Sequence, residues 1–287
     1  MIRSVFIVAL CCSIFACTEE RQHDSRLSVL RVGLLPDQQE KALRSRYVPL
    51  LDHLSRQLNI PYELTIPKSY DDLLNLFQEG KIDLARFGGV TFAKAHIISE
   101  AVPVAMRDVD VHYTSLFISS AKNQGKQVSD FRGKSFAFGS QLSTSGHVMP
   151  RFFLDQELNI MPETFFGSIE FSGQHDTTAK WVQDGVVDLG VMNPNVLREM
   201  LADGRLRSDD ISIIWETPPF ADYVWAAQAS VGPSDLAALL DAFLRLSQDN
   251  EEHAHILKLP YADGFVPASE ADYTALLSLF RQSKPEQ

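Results

Sequence analysis

Gln78-Glu79-Gly80-Lys81-Ile82-Asp83-Leu84-Ala85 is echoed about a hundred residues later by Gln183-Asp184-Gly185-Val186-Val187-Asp188-Leu189-Gly190. Each copy reads as a helix end, a glycine where the helix stops, and a short apolar strand that opens at an aspartate. The first strand runs out at Phe87-Gly88-Gly89, the second at Met192-Asn193-Pro194. Two equivalent units predict two similar lobes; chance recurrence of so short a pattern is the alternative. Ligands of open α/β sheets bind beyond the carboxyl ends of strands. Two lobes facing each other would therefore share one cleft at those ends.

The rest of the chain keeps this rhythm. Apolar runs predict strands over 30–35, 62–66, 82–87 and 111–119, then near Ser135, Ile169, Leu189 and Ile213, and over 223–229. Helical spacing predicts helices over 47–58 and 70–78, near Met149 and Lys180, and over 233–247 and 269–282. The last opens with a Ser269-x-x-Asp272 capping pattern and places Tyr273, Leu276, Leu277 and Phe280 inward. Strands alternating with helices put the chain in the α/β class.

Chemistry concentrates at one strand-to-helix passage. Ser135-Phe136-Ala137-Phe138-Gly139 reads as a strand, and a helical run reaches Asp155; between them stands Ser143-Thr144-Ser145-Gly146. The first N–H groups of a helix lack internal partners and carry partial positive charge. Three hydroxyls add donors at the same point, which suits a tetrahedral oxyanion. The plainer reading is that one of them is an N-cap. Pro150 stands early in this helix, where it removes a backbone donor and bends the first turns.

The first residues carry an address. Arg3 precedes an apolar run over 5–16, about half the length that spans a bilayer. The run ends in Ile14-Phe15-Ala16-Cys17, which resembles a bacterial lipobox with a bulkier residue than usual at Phe15. All three cysteines, Cys11, Cys12 and Cys17, lie here, so a chain processed at Cys17 has no disulfide to form. We expect a signal peptide over 1–16, a tether over 17–26 and a lipid on Cys17; cleavage without lipidation is the alternative. A net charge of −11 argues against binding nucleic acid through a basic face. It does not exclude a buried anion site built from amides and hydroxyls.

Several segments together resemble a known family. They are Arg46-Tyr47-x-Pro49-Leu50, Gly80-Lys81-Ile82-Asp83-Leu84-Ala85-Arg86-Phe87-Gly88 and Phe138-Gly139-Ser140-x-x-Ser143-Thr144-Ser145-Gly146, then Phe171-Ser172-Gly173-Gln174-His175-Asp176, Ile214-Trp215-Glu216-Thr217-Pro218-Pro219 and Gly264-Phe265-Val266-Pro267. In order and spacing, from about residue 30 to 280, the chain resembles the periplasmic phosphate/phosphite/phosphonate-binding proteins of ABC importers. Phe87-Gly88-Gly89-Val90-Thr91 with Asp222-Tyr223-x-Trp225 looks closest to a branch labelled selenate-type. The resemblance implies a type II periplasmic-binding fold, two α/β lobes with a ligand cleft between them. Lobe 1 would take residues 27–115 with 225–287, and lobe 2 residues 116–224.

It also implies ligand-binding roles for Ser143, Thr144, Ser145 and Gly146, and for Tyr47, His175, Asp222, Asn193 and Thr91. Asn193-Pro194-Asn195 offers no carboxylate where aminoalkylphosphonate binders place a second acid, which puts amine recognition in doubt. Arg86 departs from the family, which usually has Trp or another aromatic there. It would be either a bidentate oxyanion ligand or a side chain turned away and paired with an acid. The expected protein is a monomeric, periplasmic, membrane-anchored binder of a small oxyanion, without cofactor or metal, serving an ABC permease. A sensory lipoprotein signalling to a membrane partner is the first rival. A hydrolase using a Ser-His-Asp triad is the second, and no Gly-x-Ser-x-Gly elbow supports it. His253-x-His255 beside Glu251 and Glu252 has metal-ligand chemistry, on a stretch that reads as solvated surface.

Overall fold

The computed structural model describes residues 27–282. The expected signal peptide and the whole tether, Cys17 included, lie outside them. The first half of the chain runs β1 (Leu30–Leu34), α1 (Glu40–Leu58), β2 (Tyr62–Thr65), α2 (Tyr70–Gln78), β3 (Leu84–Phe87), α3 (Gly89–Ser99) and β4 (Val102–Arg107). The chain then crosses to β5 (Leu116–Ser120), β6 (Ser135–Phe138), α4 (Met149–Leu158), α5 (Pro162–Phe165), β7 (Ser168–Phe171), α6 (His175–Gln183), β8 (Leu189–Met192), α7 (Pro194–Ala202) and β9 (Ile211–Glu216). It returns through β10 (Val224–Ala227), α8 (Pro233–Leu244), α9 (Glu251–Lys258), β11 (Phe265–Pro267) and α10 (Thr274–Gln282).

These strands form two mixed sheets, ordered β11-β4-β10-β3-β1-β2 and β7-β6-β8-β5-β9. In each, three parallel strands (β2-β1-β3 and β7-β6-β8) are bordered by an antiparallel one, β10 or β5. The two echoed segments therefore occupy the same place in the two sheets, and their chemistry is the same. Gly80 and Gly185 carry φ of 68° and 71° and end α2 and α6, a conformation that favours glycine. Asp83 accepts the Arg31 N–H (2.8 Å) and Asp188 the Ser135 N–H (3.1 Å), each tying its strand to the start of its neighbour.

Both sheets are covered on two faces. Leu30, Val32, Leu50, Leu54 and Phe243 pack on one side of the first sheet, and Leu73, Phe77, Phe87 and Phe92 on the other. Ile118, Val196 and Met200 cover one side of the second, and Phe117, Phe136 and Phe138 the other. Strands buried on both faces read as near-continuous apolar runs, which is why they were legible.

Other boundaries moved. The strand expected over 111–119 begins only at Leu116, because Asp108–Asp110 turn and Arg107 clamps Asp110 in a buried ion pair. The helix expected over 47–58 starts at Glu40, through a polar first turn with no apolar spacing. The two crossings run side by side: Tyr113 and Phe220 exchange backbone hydrogen bonds of 2.8 Å, and the Asp222 N–H donates to the Asp110 carbonyl at 3.1 Å.

Candidate functional site

The parallel strands of both sheets end toward one another, and the segments that follow them meet. After β6, Ser143 caps a wide turn over Thr144–Val148: its Oγ accepts the Gly146 N–H at 2.9 Å. The N-cap reading thus holds for Ser143. Thr144 Oγ1 accepts the Val90 N–H at the start of α3, 3.0 Å away in the other lobe. Ser145 Oγ is buried with no protein partner. A regular helix begins only at Met149, so Pro150 falls in its first turn. The Gly146 carbonyl, which Pro150 cannot serve, accepts the Gly139 N–H instead (2.8 Å).

His175 opens α6 against this turn. A Cβ on Gly146 would lie 3.0 Å from His175 Cε1 and 2.8 Å from Ser143 Oγ, so only glycine lets the ring approach. His175 Nδ1 accepts the Asn193 N–H (3.2 Å), which places the ring proton on Nε2, buried and unpartnered. Burial lowers the His175 pKa to about 4 against the pull of Asp37, with Arg86 adding to the lowering; the ring is neutral near pH 7. Asn193 is committed to the protein: its Oδ1 caps α7 and takes the Tyr113 hydroxyl, and its Nδ2 donates to Tyr223 Oη (3.0 Å).

Asp222 closes the far side. Its Oδ1 accepts the Gly89 N–H at 3.2 Å, and its Oδ2 is buried without a partner. Burial raises its pKa to about 7, aided by Asp110 and opposed by nearby Ser145, Thr144 and the Gly89 amide. A Cβ on Gly88 would sit 3.1 Å from Thr144 Oγ1 and 3.2 Å from Asp222 Oδ1. Thr91 is buried beside them, but its hydroxyl donates to the Gly88 carbonyl (2.9 Å) within its own helix.

Arg86, at the end of β3, pairs with an acid. Its Nη1 donates to Asp37 Oδ2 at 3.0 Å, with both side chains at or near zero exposure. The guanidinium lies 3.8 Å from the ring centre of Tyr223 and 4.7 Å from that of Tyr47. Burial alone would lower its pKa; facing Tyr47, Asp37 and Tyr223, it is held above its ordinary value. Tyr47, on α1, packs its ring edge-on to Trp225 (5.9 Å), and its buried hydroxyl has no partner.

The expected residues are therefore brought together, all but Cys17, which lies outside the described residues. The roles differ in kind. Tyr47 Oη, Ser145 Oγ, His175 Nε2 and Asp222 Oδ2 are buried polar atoms without a protein partner. Ser143, Thr144, Thr91 and Asn193 are hydrogen-bonded within the protein. Ser, His and Asp form no relay: His175 Nδ1 faces a backbone amide and Asp222 another. Among the described residues no group of three His, Cys, Asp or Glu could hold a metal; the His253 ring stacks edge-on to His53 at 5.1 Å.

Sequence reasoning missed Asp37, whose Oδ1 is a fifth such atom, and the Gly89 and Val90 amides at the start of α3. Asp37 stands just past the carboxyl end of β1, the one signal that could have marked it.

Comparison with known proteins agrees with this geometry. Residues 32–273 match the family of phosphonate periplasmic substrate-binding proteins of ABC transporters. A probable ABC-transporter phosphite-binding protein, PhnD1 of Prochlorococcus marinus (strain MIT 9301), is 29% identical over 270 residues, 90% of this chain and 91% of that one. The phosphate-import protein PhnD of Mycolicibacterium smegmatis is 24% identical over 265 residues, 85% of this chain and 82% of its own. The structure of PhnD1 in complex with methylphosphonate superposes with a TM-score of 0.82 at 28% identity, over 89% of this chain and 98% of that one. With two lobes of the type II periplasmic-binding fold and a match over most of its length, the chain belongs to the phosphonate-type periplasmic substrate-binding proteins of ABC transporters, a family of binding proteins and not of enzymes.

Proposed function

We propose that the protein captures a small tetrahedral oxyanion of the phosphonate, phosphite or phosphate kind between its lobes and presents it to an ABC permease. One observation carries this reading: partnerless buried polar atoms converge from both lobes, Tyr47 Oη from one and Ser145 Oγ and His175 Nε2 from the other. Buried polar groups left unpaired are costly, so such a cluster is built for a ligand. Ser145, His175 and Tyr47 would donate to the anion. Ser143 and Thr144 accept amide hydrogens and also carry hydroxyl hydrogens, for which the ligand would compete with Tyr70 and Asp222. Gly146 lets His175 approach, Arg86 supplies positive charge, and Asn193 and Thr91 hold the wall rather than the ligand. The lobes would be 27–115 with 225–287, and 116–224.

Calorimetry with phosphite, methylphosphonate and phosphate tests this. Ser145 Oγ has no well-formed hydrogen bond in the protein and only lies beside Asp222, so Ser145→Ala should shift the melting temperature by no more than a few degrees. A hydrogen bond to a charged group contributes about 1.5–3 kcal/mol, so affinity should fall about tenfold to a hundredfold. A lower melting temperature with intact affinity would make Ser145 structural. Binding of none of the three anions would end the oxyanion reading.

We also propose that Cys17 is acylated and anchors the protein to a periplasmic membrane face. Cys17→Ser should move the protein from the membrane to the soluble fraction; a wild-type protein already soluble sinks this idea.

A further inference from the structure

Asp37 lies in the loop between β1 and α1, where the lobes meet. Its carbonyl accepts the His175 N–H (3.0 Å), and the neighbouring Gln39 N–H donates to Asp176 (3.3 Å) across the same contact. Its carboxylate is fully buried. Oδ2 takes Arg86 at 3.0 Å; Oδ1 has no protein partner. The two partnerless carboxylate oxygens of the site differ. Asp222 has no cation bonded to it and can bring its own proton to a ligand. Asp37 is locked in an ion pair and stays an acceptor. A buried, ionised acceptor needs a donor, and a lone pair placed against it is repelled.

We infer that Asp37 is a specificity determinant: it admits tetrahedral oxyanions that keep an acidic O–H and turns away those with none, such as sulfate and selenate. The inference rests on the oxyanion reading above. The ligand O–H would donate to Asp37 Oδ1, while Arg86 holds the carboxylate in place. The charged or titratable groups around Asp37 are Arg46 on α1, Tyr70 on α2, Arg86 on β3, His175 and Asp176 on α6, and Tyr223 beside β10. Burial alone would raise the Asp37 pKa; Arg86, His175 and Arg46 together outweigh that cost and hold it below the ordinary value.

Calorimetry on the purified protein at about pH 6.5 compares inorganic phosphate, methylphosphonate, sulfate and selenate. Sulfate and selenate should bind at least about a hundredfold more weakly than phosphate. Asp37→Asn can turn an amide N–H toward the anion and should narrow that ratio by about tenfold or more. Sulfate bound as tightly as phosphate, or an unchanged ratio in the variant, overturns the inference and leaves the oxyanion reading intact. Failure of all four anions overturns both.

Asp37→Asn strips Arg86 of its partner and can fail to fold, so a wild-type measurement stands beside it. Methylphosphonate loses its last O–H near neutrality, whereas phosphate keeps one. From about pH 7 to about pH 9 the affinity for methylphosphonate should fall about tenfold or more relative to that for phosphate, approaching a factor of about ten per pH unit at the alkaline end. Titration of Asp222 affects both ligands alike and cancels. Parallel profiles overturn the inference.

Discussion

At the scale of single residues, Asp222 illustrates a conflict between fold and site. Its folded pKa of about 7 exceeds the unfolded value of 3.8. The folded protein therefore holds this proton more tightly than the unfolded chain. The carboxyl costs nothing below the unfolded pKa, destabilises progressively as pH rises toward 7, and weighs fully above it. A shift of about three pKa units corresponds to roughly 4 kcal/mol, an upper bound in practice. Asp222→Asn keeps an oxygen for the Gly89 N–H and removes the buried charge. It should raise stability by about 2–4 kcal/mol at about pH 8, by nothing measurable at about pH 4, and weaken oxyanion binding at both. Denaturant titrations at the two pH values check the sign, and a variant destabilised at pH 8 would refute the assignment of the burial cost.

At the scale of elements, the site depends on where helices start. Gly88 shows this: its φ of −82° suits any residue, so glycine is there for space and not for conformation. The methyl of Gly88→Ala would press on Thr144 and Asp222, which approach from beyond the first sheet. Each sheet could fold unchanged while the contact between the lobes opened. Affinity should fall about tenfold with a melting temperature shifted by no more than a few degrees. Unchanged affinity would mean that the helix start does not shape the cleft.

The same element marks the limit of what the sequence revealed. α3 is buried at Gly89, Val90, Thr91, Phe92, Ala93 and Ala95, nearly all round its first turns, so it has no apolar stripe to read. The repeated Gly and Asp of the echo were legible because their roles are local, a helix stop and a strand tie. Ser143 to Ser145 were legible as a group, yet the division of labour among them depends on Val90, which the chain brings from more than fifty residues away. Arg86 could be noticed only as a departure. Its meaning comes from Asp37, and a lone aspartate in a loop carries no pattern of its own.

At the scale of the whole molecule, the lobes are joined by polar contacts as well as by the two crossings. Besides the Asp37 and Thr144 contacts, Gln174 Nε2 donates to the Pro36 and Gln38 carbonyls at 3.3 and 3.1 Å. The strongest contact is between charges: Arg46 on α1, only 4% exposed, pairs with Glu199 on α7, 21% exposed, and Arg205 reaches Glu199 at 3.3 Å. Arg46 also lies over the ring of Tyr261, 5.7 Å from its centre, with Arg198 over the same ring at 5.4 Å. If ligand capture brings the lobes together, this pair forms only in the joined state and shifts the equilibrium toward it. Breaking a fully buried pair costs about 3–5 kcal/mol, and partial exposure of Glu199 reduces that to about a third. Glu199→Gln should therefore weaken oxyanion binding by about tenfold, chiefly through faster release. Because Glu199 touches no atom of the proposed ligand wall, the loss should be the same for phosphate and for methylphosphonate. A loss confined to one ligand would place Glu199 in recognition, and no loss at all would show that this pair does not hold the lobes together.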